Sequence, residues 1–329
     1  MNTYLKTIEK QELEKYCAAR QGETKLGQAI LTLKSSNLST ELAAINARFV
    51  LVGIPEDIGV RANYGKPGAA GFFDAFMQFL NVQSNQFLDG NELVIAGHIT
   101  CNDLMQQAQN AEAEQLSQLV HELDSRVETV LYEIFAAGKT AIVIGGGHNN
   151  AYPIIKAATR AKKQKLAVVN IDPHADLRTT ERRHSGNGFS YALNDNLLDF
   201  YLQVGLHENY NNQHILDLYN NNPGKLNFFS YDDYLKNKWS LHDVSKFLHD
   251  TFSGKVCGFE LDCDSIENMP SSAATPSGFS VAETRRLTMM IAAELKPVYF
   301  HIPEAIPSTG PINSAKLVSY LVTDFIKAS

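Results

Sequence analysis

Apolar residues in this chain recur in short runs, and longer segments with helical spacing separate or follow them. Seven runs are short enough for buried strands: 48–54, 92–99, 140–146, 166–171, 201–206, 256–261 and 297–302. Four longer segments carry apolar residues three and four positions apart and predict helices: 112–137, 150–163, 280–295 and 312–327. Because strands alternate with helices, the pattern predicts an α/β fold with a parallel sheet covered on both faces.

The polar N-terminus lies before the first apolar run. Its composition predicts a helical extension over residues 1–47, packed on one domain that covers residues 48–329. The Asn-rich stretch 209–223 predicts a loop-containing region within that domain and no boundary between domains.

Composition narrows the classes of function. The chain is 44% apolar and 20% charged, which suits a large folded core. Its net charge of −7 argues against nucleic-acid and anionic-membrane binding, which require basic surface. The four cysteines form no CxxC pair, as expected of reduced thiols in a cytosolic protein. With no apolar signal core and no run of 18 apolar residues, we expect a cytoplasmic location.

Chemically rich motifs follow four of the predicted strands. They are IGGGHNN (144–150), NIDPHADLR (170–178), FELDCDSIE (259–267) and HIPE (301–304). In open parallel sheets the functional site lies beyond the carboxyl ends of the strands. We therefore expect these motifs to meet at one rim of the sheet.

Two of the motifs contain alternating charged side chains. Asp172, His174 and Asp176 are two residues apart, so an extended chain projects them to one side. Asp262 and Asp264 have the same spacing, and like charges at a buried strand end are costly unless a cation offsets them. Taken singly, the first motif could be a solvated loop, and the second a helix cap followed by an exposed aspartate.

The motif IGGGHNN presents His148 after three glycines, which allow a turn where side chains would clash. A lone histidine after a strand is more often structural than a ligand, but the motifs together supply two imidazoles and four carboxylates. No cysteine pattern suggests a structural zinc site. Carboxylate-rich ligation favours Mn²⁺ or a similar hard ion, and bridging carboxylates suit a pair of ions.

In this order, GGGH, DPHAD and ELDCD resemble the metal motifs of the arginase/agmatinase/formimidoylglutamase (ureohydrolase) superfamily, from about residue 48 to the end. The resemblance implies a three-layer α/β/α domain with a mostly parallel sheet of about eight strands and two Mn²⁺ ions. It also implies six metal ligands: His148 and Asp176 on one ion, His174 and Asp264 on the other, and Asp172 and Asp262 between them.

The resemblance further implies catalytic roles in the attack of an activated water on an amidine or guanidine carbon. Asp176 would hold the nucleophile and pass its proton to the leaving amine. Glu304, in HIPE, is similar to the family glutamate that pairs with the cationic nitrogens of the substrate. The alternative for Glu304 is a carboxylate on a surface loop.

Two positions differ from arginases. Arg178 stands where arginases have asparagine, and Phe189 replaces the proton-shuttling histidine of the SGN-x-H pattern. His184 or His207 could take over that shuttle. The segments DLR (176–178), HSG (184–186) and 59–69 are more similar to formimidoylglutamase.

The predicted substrate pocket contains residues suited to an acidic substrate. The guanidinium group of Arg178 can form two parallel hydrogen bonds to a carboxylate, and Arg61 is expected on the same rim. Both arginines could instead form ion pairs within the scaffold. Asn187 and the weaker candidates Asn209 and Tyr210 complete the predicted contacts.

The preferred interpretation is hydrolysis of N-formimidoyl-L-glutamate to L-glutamate and formamide, in histidine breakdown. One alternative is a hydrolase of arginine, agmatine or a guanidino acid that releases urea. Another is a metal-binding homologue without turnover. The expected partner is a small amidine or guanidine that carries a carboxylate, and by analogy the chain is expected to form a homo-oligomer.

Overall fold

A ten-stranded sheet runs through the part of the chain that the computed structural model describes, residues 4–34 and 37–329. In chain order its strands are β1 (Leu5–Lys6), β2 (Leu31–Thr32), β3 (Phe49–Gly53), β4 (Leu93–Ile99), β5 (Thr140–Ile144), β6 (Leu166–Ile171), β7 (Leu198–Leu206), β8 (Leu226–Ser230), β9 (Val256–Leu261) and β10 (Tyr299–Ile302). In space their order is β1-β4-β3-β5-β10-β9-β6-β7-β8, and β2 also pairs with β4.

The eight strands from β3 to β10 pair with one another only in parallel, which confirms the predicted class of fold. The sheet nevertheless has two more strands than the eight expected. Both come from the N-terminal segment, where β1 pairs antiparallel and β2 parallel to β4. Each is only two residues long, so neither leaves a periodic signal in the sequence.

Fourteen α-helices lie in the described residues, together with short 3-10 helices. They are α1 (Lys10–Glu14), α2 (Leu26–Ala29), α3 (Leu38–Ala44), α4 (Ile58–Ala62), α5 (Phe72–Phe76), α6 (Asn102–Gln107), α7 (Ala113–Ala136), α8 (Ala151–Lys162), α9 (Gly188–Asn194), α10 (Gln213–Asn221), α11 (Tyr231–Leu235), α12 (Leu241–Phe252), α13 (Val281–Leu295) and α14 (Ser314–Ala328). None of them is long and apolar enough to cross a membrane.

Alternation along the strands builds two cores, one on each face of the sheet. In β3, Phe49 and Leu51 pack into one core, whereas Val50 and Val52 pack into the other. Helices α12, α13 and α14 cover the first face, and α7 and α8 cover the second. Burying each such side chain contributes about 1.5–3 kcal/mol, so the sheet is stabilised from both sides. The result is a sheet covered on both faces, as the pattern predicted, in the three-layer α/β/α arrangement that the resemblance implied.

The polar composition of the N-terminal segment predicted a helical extension, but the described part of this segment is not helical throughout. It contains α1, α2 and α3, but β1 and β2 join the same sheet as the rest of the chain. Backbone hydrogen bonds to β4 thus tie this segment to the domain.

Candidate metal centre

The four chemically rich motifs meet at one rim, because the strands that precede them are neighbours. The central order β5-β10-β9-β6 places the carboxyl ends of these four parallel strands side by side. His148 comes four residues after β5, Asp172 and Asp262 directly follow β6 and β9, and Glu304 lies two residues beyond β10. The structure therefore brings together side chains that are up to 156 residues apart in sequence.

The turn before His148 depends on its glycines. Gly145 and Gly146 have φ angles of +83° and +77°, in the left-handed region that side chains disfavour. A Cβ atom on Gly146 would lie 2.5 Å from the side-chain amide nitrogen of Asn150. Buried Glu56 fixes the turn by accepting hydrogen bonds from the Gly147 N–H at 2.8 Å and the Asn150 side chain at 2.6 Å.

The first ligand group surrounds the Nδ1 atom of His148. This atom lies 3.2 Å from Asp172 Oδ2, 2.9 Å from Asp176 Oδ2 and 3.0 Å from Asp262 Oδ2. One ligand atom from each of these four residues lies within 4.8 Å of the others. The imidazole is buried, with 1% of its surface exposed.

The second ligand group shares Asp172 with the first. His174 Nδ1 lies 3.1 Å from Asp264 Oδ2 and 3.5 Å from Asp172 Oδ1. Asp172 thus directs one oxygen to each group, as a bridging carboxylate must. Asp262 Oδ1 accepts the Asp264 N–H at 2.9 Å, and a bridging role for Asp262 stays a prediction.

The charges of these side chains fit a pair of cations. Four carboxylates converge here, and none has a lysine or arginine partner in residues 4–34 and 37–329. Both ring nitrogens of His148 and Asp264 Oδ1 are buried without hydrogen-bond partners in the same described ranges. Such burial is costly unless cations compensate it. Oxygen-rich ligation with two imidazoles suits two hard or intermediate divalent ions.

Burial and crowding of like charges shift the pKa values at this rim. Burial, with a further contribution from charged Asp172, raises the pKa of Asp176 to about 6. Burial and the nearby Asp262 charge raise the pKa of Glu304 to about 8. Burial also acts to raise the pKa of Asp172, but the favourable interactions with the nearby imidazoles of His148 and His174 outweigh it and lower that pKa to about 2. Protons and metal cations therefore compete for the same atoms.

Asp176 and Glu304 both have strained backbones. Their φ angles are +50° and +67°, in the left-handed region that costs a side-chain-bearing residue about 1–2 kcal/mol. Such strain persists where the surrounding structure enforces it, and it is common at functional sites. Both side chains line the cleft in front of the metal ligands.

That cleft has a volume of about 440 Å³, which suits a small metabolite. Metal-ligand candidates and Glu304 form its inner wall, and Arg178 lies among its other lining residues. Its complete lining is Asn63, Gly65, His174, Ala175, Asp176, Leu177, Arg178, Ser185, Gly186, Tyr210, Asn211, Asn212, Ile215, Asp262, Asp264, Ser272, Ala273 and Glu304.

The two predicted substrate-binding arginines lie in different places. Arg178 lines the cleft, is exposed, and donates a hydrogen bond to the Asn63 side-chain oxygen. The structure does not bring Arg61 to the cleft. Its side chain extends from α4 to the backbone carbonyls of Ala108 and Gln109, which take up its guanidinium.

The predicted asparagine contacts also lie outside the cleft lining. Asn187 is fully buried, and its amide group donates to the backbone carbonyls of Thr179 at 3.0 Å and Arg182 at 2.6 Å. It therefore holds the shape of the loop that carries Arg178. Asn209 is exposed and is not part of the lining, whereas its neighbour Tyr210 is.

Neither Phe189, which replaces the proton-shuttling histidine of arginases, nor the two histidines that could take over its role line the cleft. Phe189 is fully buried and meets the His148 ring edge-on, with centroids 5.3 Å apart. His184 is buried and accepts the Gly186 N–H at 3.1 Å, and burial lowers its pKa to about 4. His207 is stacked on Tyr210.

Sequence reasoning overlooked two buried polar residues next to the ligands. Asn170 donates to Asp172 Oδ2 at 3.0 Å, and Glu260 Oε2 lies 3.6 Å from His148 Nε2. Each precedes a ligand aspartate by two positions, Asp172 and Asp262 respectively. The same alternation that grouped the ligands therefore places them on that side of the strands.

Comparison with known proteins identifies relatives of this architecture. The family model described as "Arginase family" matches residues 47–327. A formimidoylglutamase from Chromobacterium violaceum is 30% identical over 241 residues, which cover 70% of this chain and 71% of that protein. Another, from Enterobacter sp. (strain 638), is 29% identical over 172 residues; the match covers 52% of this chain and 50% of the relative.

Solved structures share the fold along almost the entire chain. Trypanosoma cruzi formiminoglutamase with Mn²⁺ superposes with a TM-score of 0.72 at 21% identity, covering 93% of this chain and 98% of that one. The formimidoylglutamase from Bacillus subtilis superposes with a TM-score of 0.76 at 16% identity, covering 94% and 93%. At these identities the similarity establishes the fold alone.

Proposed function

Because the chain belongs to the arginase family, we propose that it is a metal-dependent hydrolase that converts N-formimidoyl-L-glutamate to L-glutamate and formamide. The family predicted from the three motifs is confirmed, since the family model covers residues 47–327. The curated relatives named above are formimidoylglutamases, which supports the choice of substrate.

One observation carries the proposal: a single cleft holds both the metal-ligand candidates and an exposed arginine. An amidine with a carboxylate at its other end needs an anionic site for one end and a cationic site for the other. Glu304 and the ligand carboxylates meet the first requirement, and Arg178 meets the second. The arginine fork binds carboxylates through two parallel hydrogen bonds.

The two ligand groups divide the metal-binding role. His148, Asp172, Asp176 and Asp262 would hold one Mn²⁺ ion, and Asp172, His174 and Asp264 the other. Bound divalent cations lower the pKa of water and supply a nucleophile near neutral pH.

Two carboxylates of the chain act on the substrate itself. Glu304 Oε1 accepts the His148 backbone N–H at 2.8 Å, while Glu304 Oε2 is buried without a partner in residues 4–34 and 37–329. Oε2 is therefore available to the N–H groups of an amidinium, and that contact orients the carbon to be attacked. Asp176 uses Oδ2 in the ligand group, and its Oδ1 carries the proton to the leaving amine.

A turnover panel with Mn²⁺-loaded protein tests the proposal. N-formimidoyl-L-glutamate, L-arginine, agmatine and 4-guanidinobutyrate are compared by direct detection of formamide or urea. Selective formamide release supports the assignment. Urea release would keep the metal-dependent chemistry and overturn the substrate; among these alternatives Arg178 disfavours agmatine, which has no carboxylate.

A homologue that binds metal without turnover is the other alternative, and it stays open because Phe189 stands where arginases have the shuttle histidine. Stoichiometric Mn²⁺ binding with no product from any of the four compounds would establish it. Mn²⁺ as the natural ion, a cytoplasmic location and assembly into a homo-oligomer belong to the same proposal.

A further inference from the structure

A buried acid–base pair lies directly behind the first metal-ligand group, and the mechanism above does not use it. Glu260 and His301 are both fully buried, and Glu260 Oε2 lies 2.6 Å from His301 Nδ1. They are register partners on adjacent strands β9 and β10. Burying polar groups of this kind is costly unless they are hydrogen-bonded, and the short contact between these two side chains meets that condition.

Glu260 faces one side of the His148 ring, and the metal-ligand carboxylates face the other. His148 Nε2 lies 3.6 Å from Glu260 Oε2, whereas His148 Nδ1 points at Asp172, Asp176 and Asp262. Glu260 Oε1 is buried and has no hydrogen-bond partner in the described residues, so the carboxylate has acceptor capacity to spare.

We infer that Glu260, held in place by His301, is a positioning residue that selects the metal-binding tautomer of His148. This inference rests on the proposed metal centre. A neutral imidazole has one N–H and one lone pair. If the N–H is on Nε2 and donates to Glu260, the lone pair on Nδ1 is free for the ion. An approach of about half an ångström turns the present contact into a hydrogen bond.

The second ligand group has no equivalent support. The His174 side chain is 32% exposed, and the carboxylates in ion-pair contact with it in residues 4–34 and 37–329 are the ligand candidates Asp172 and Asp264, which approach its Nδ1 atom. On its open side it stacks on Tyr210, with centroids 5.4 Å apart. Loss of Glu260 should therefore weaken one of the two ions and leave the other nearly unchanged.

The expected difference between the two ions is tested by titrating Mn²⁺ at fixed pH. Binding is monitored by calorimetry and by the electron paramagnetic resonance of free Mn²⁺. E260L removes the acceptor and should weaken one ion about 10–100-fold, the usual cost of losing a partner that orients a metal ligand. E260Q keeps an acceptor oxygen and should recover most of the affinity. The matched control is D324N, which changes a buried, ion-paired carboxylate outside the metal-site cleft and should bind both ions as the wild type does.

Variants of His301 provide a second, independent test. H301N retains an N–H donor for Glu260 and should bind Mn²⁺ more tightly than H301L, which does not. Circular dichroism and thermal melting of the metal-free variants show which of them fold. Nitrogen-15 spectra of the histidines in Cd²⁺-loaded wild type should show a slowly exchanging Nε2–H on a ligand histidine, and this signal should persist in E260Q.

The outcomes separate this inference from the proposed function. Wild type that binds no divalent ion would overturn the metal centre and the inference together. Wild type that binds two ions, with E260L equal to it, would overturn the inference alone. If E260L does not fold, the wild-type spectrum decides: a ligand histidine with its proton on Nδ1, or with a rapidly exchanging Nε2–H, would refute the role of Glu260.

Discussion

The metal-free protein should lose stability as the pH rises from 6 to 8. The cause is the buried carboxyl group of Glu304, which keeps a proton in the folded chain and releases it on unfolding. Its ordinary pKa is about 4.5, and burial next to charged Asp262 raises the folded value to about 8. Because the folded pKa lies above the unfolded one, this group stabilises the fold fully below pH 4.5, and that contribution is lost as the pH rises through 8.

The magnitude follows from proton counting. Between the two pKa values the folded chain holds one more proton than the unfolded chain, and each proton changes the free energy of unfolding by about 1.4 kcal/mol per pH unit. From pH 6 to 8 the loss from Glu304 alone is therefore about 2 kcal/mol. The raised pKa values of His148 and His174 act in the same direction above pH 6.5.

Two other ligands contribute outside this window. The pKa of Asp176 is raised to about 6, so its contribution is lost mainly between pH 4 and 6. The pKa of Asp172 is lowered to about 2, so its contribution is complete above pH 3.8 and is lost only as the pH falls through 2.

Urea unfolding of chelator-treated protein at pH 6, 7 and 8 measures the effect. E304Q is the matched control, because glutamine keeps the volume and the acceptor for the His148 N–H but does not titrate. The variant should lose about 2 kcal/mol less than the wild type over the same range. Mn²⁺-loaded protein should lose less stability over this range, because cations bound at Asp262 would offset the charge that helps to raise the pKa of Glu304. Equal pH slopes for wild type and E304Q, or a gain in wild-type stability from pH 6 to 8, would refute the reasoning.

Three further predictions concern single residues. R178M should raise KM for N-formimidoyl-L-glutamate about 10–100-fold with little change in kcat, since a hydrogen bond to a charged group is worth about 1.5–3 kcal/mol; an unchanged KM would remove Arg178 from the pocket. D172N should reduce bound manganese, measured by mass spectrometry, to less than one ion per chain, and two retained ions would contradict the bridging role. R183M should lower the free energy of unfolding by about 3–5 kcal/mol, because it leaves Asp124 buried without its two hydrogen bonds of 2.8 Å; a denaturant midpoint equal to that of the wild type would contradict this.

The centre of the fold was predictable because its signals are strong. Strands such as β5 and β9 are apolar and lie against helices on both faces, so short apolar runs marked them within one or two residues. β8 was missed. Its sequence, LNFFS, is only partly buried and follows an Asn-rich stretch, so neither alternation nor a continuous apolar run distinguishes it.

The site was predictable where backbone geometry controls it and unpredictable where long side chains do. Alternation along β6 and β9 groups the ligands, because the period of two fixes the side to which each residue points. Arg61 has a side chain long enough to reach several partners, and sequence does not reveal that the carbonyls of Ala108 and Gln109 are nearer than the cleft. The buried Asn187 became clear only once the loop around it was folded.

The short N-terminal strands cover the edge of β4 and so prevent it from pairing with another chain. β1 pairs with His98 and Ile99 at one end of β4, and β2 pairs with Val94 and Ile95 nearer the other end. Without them the outermost long strand would expose unpaired N–H and C=O groups, which other chains can extend by adding strands. A version truncated to residues 48–329 could keep every metal ligand and still aggregate, so its failure in an assay would reflect self-association and not damaged catalysis.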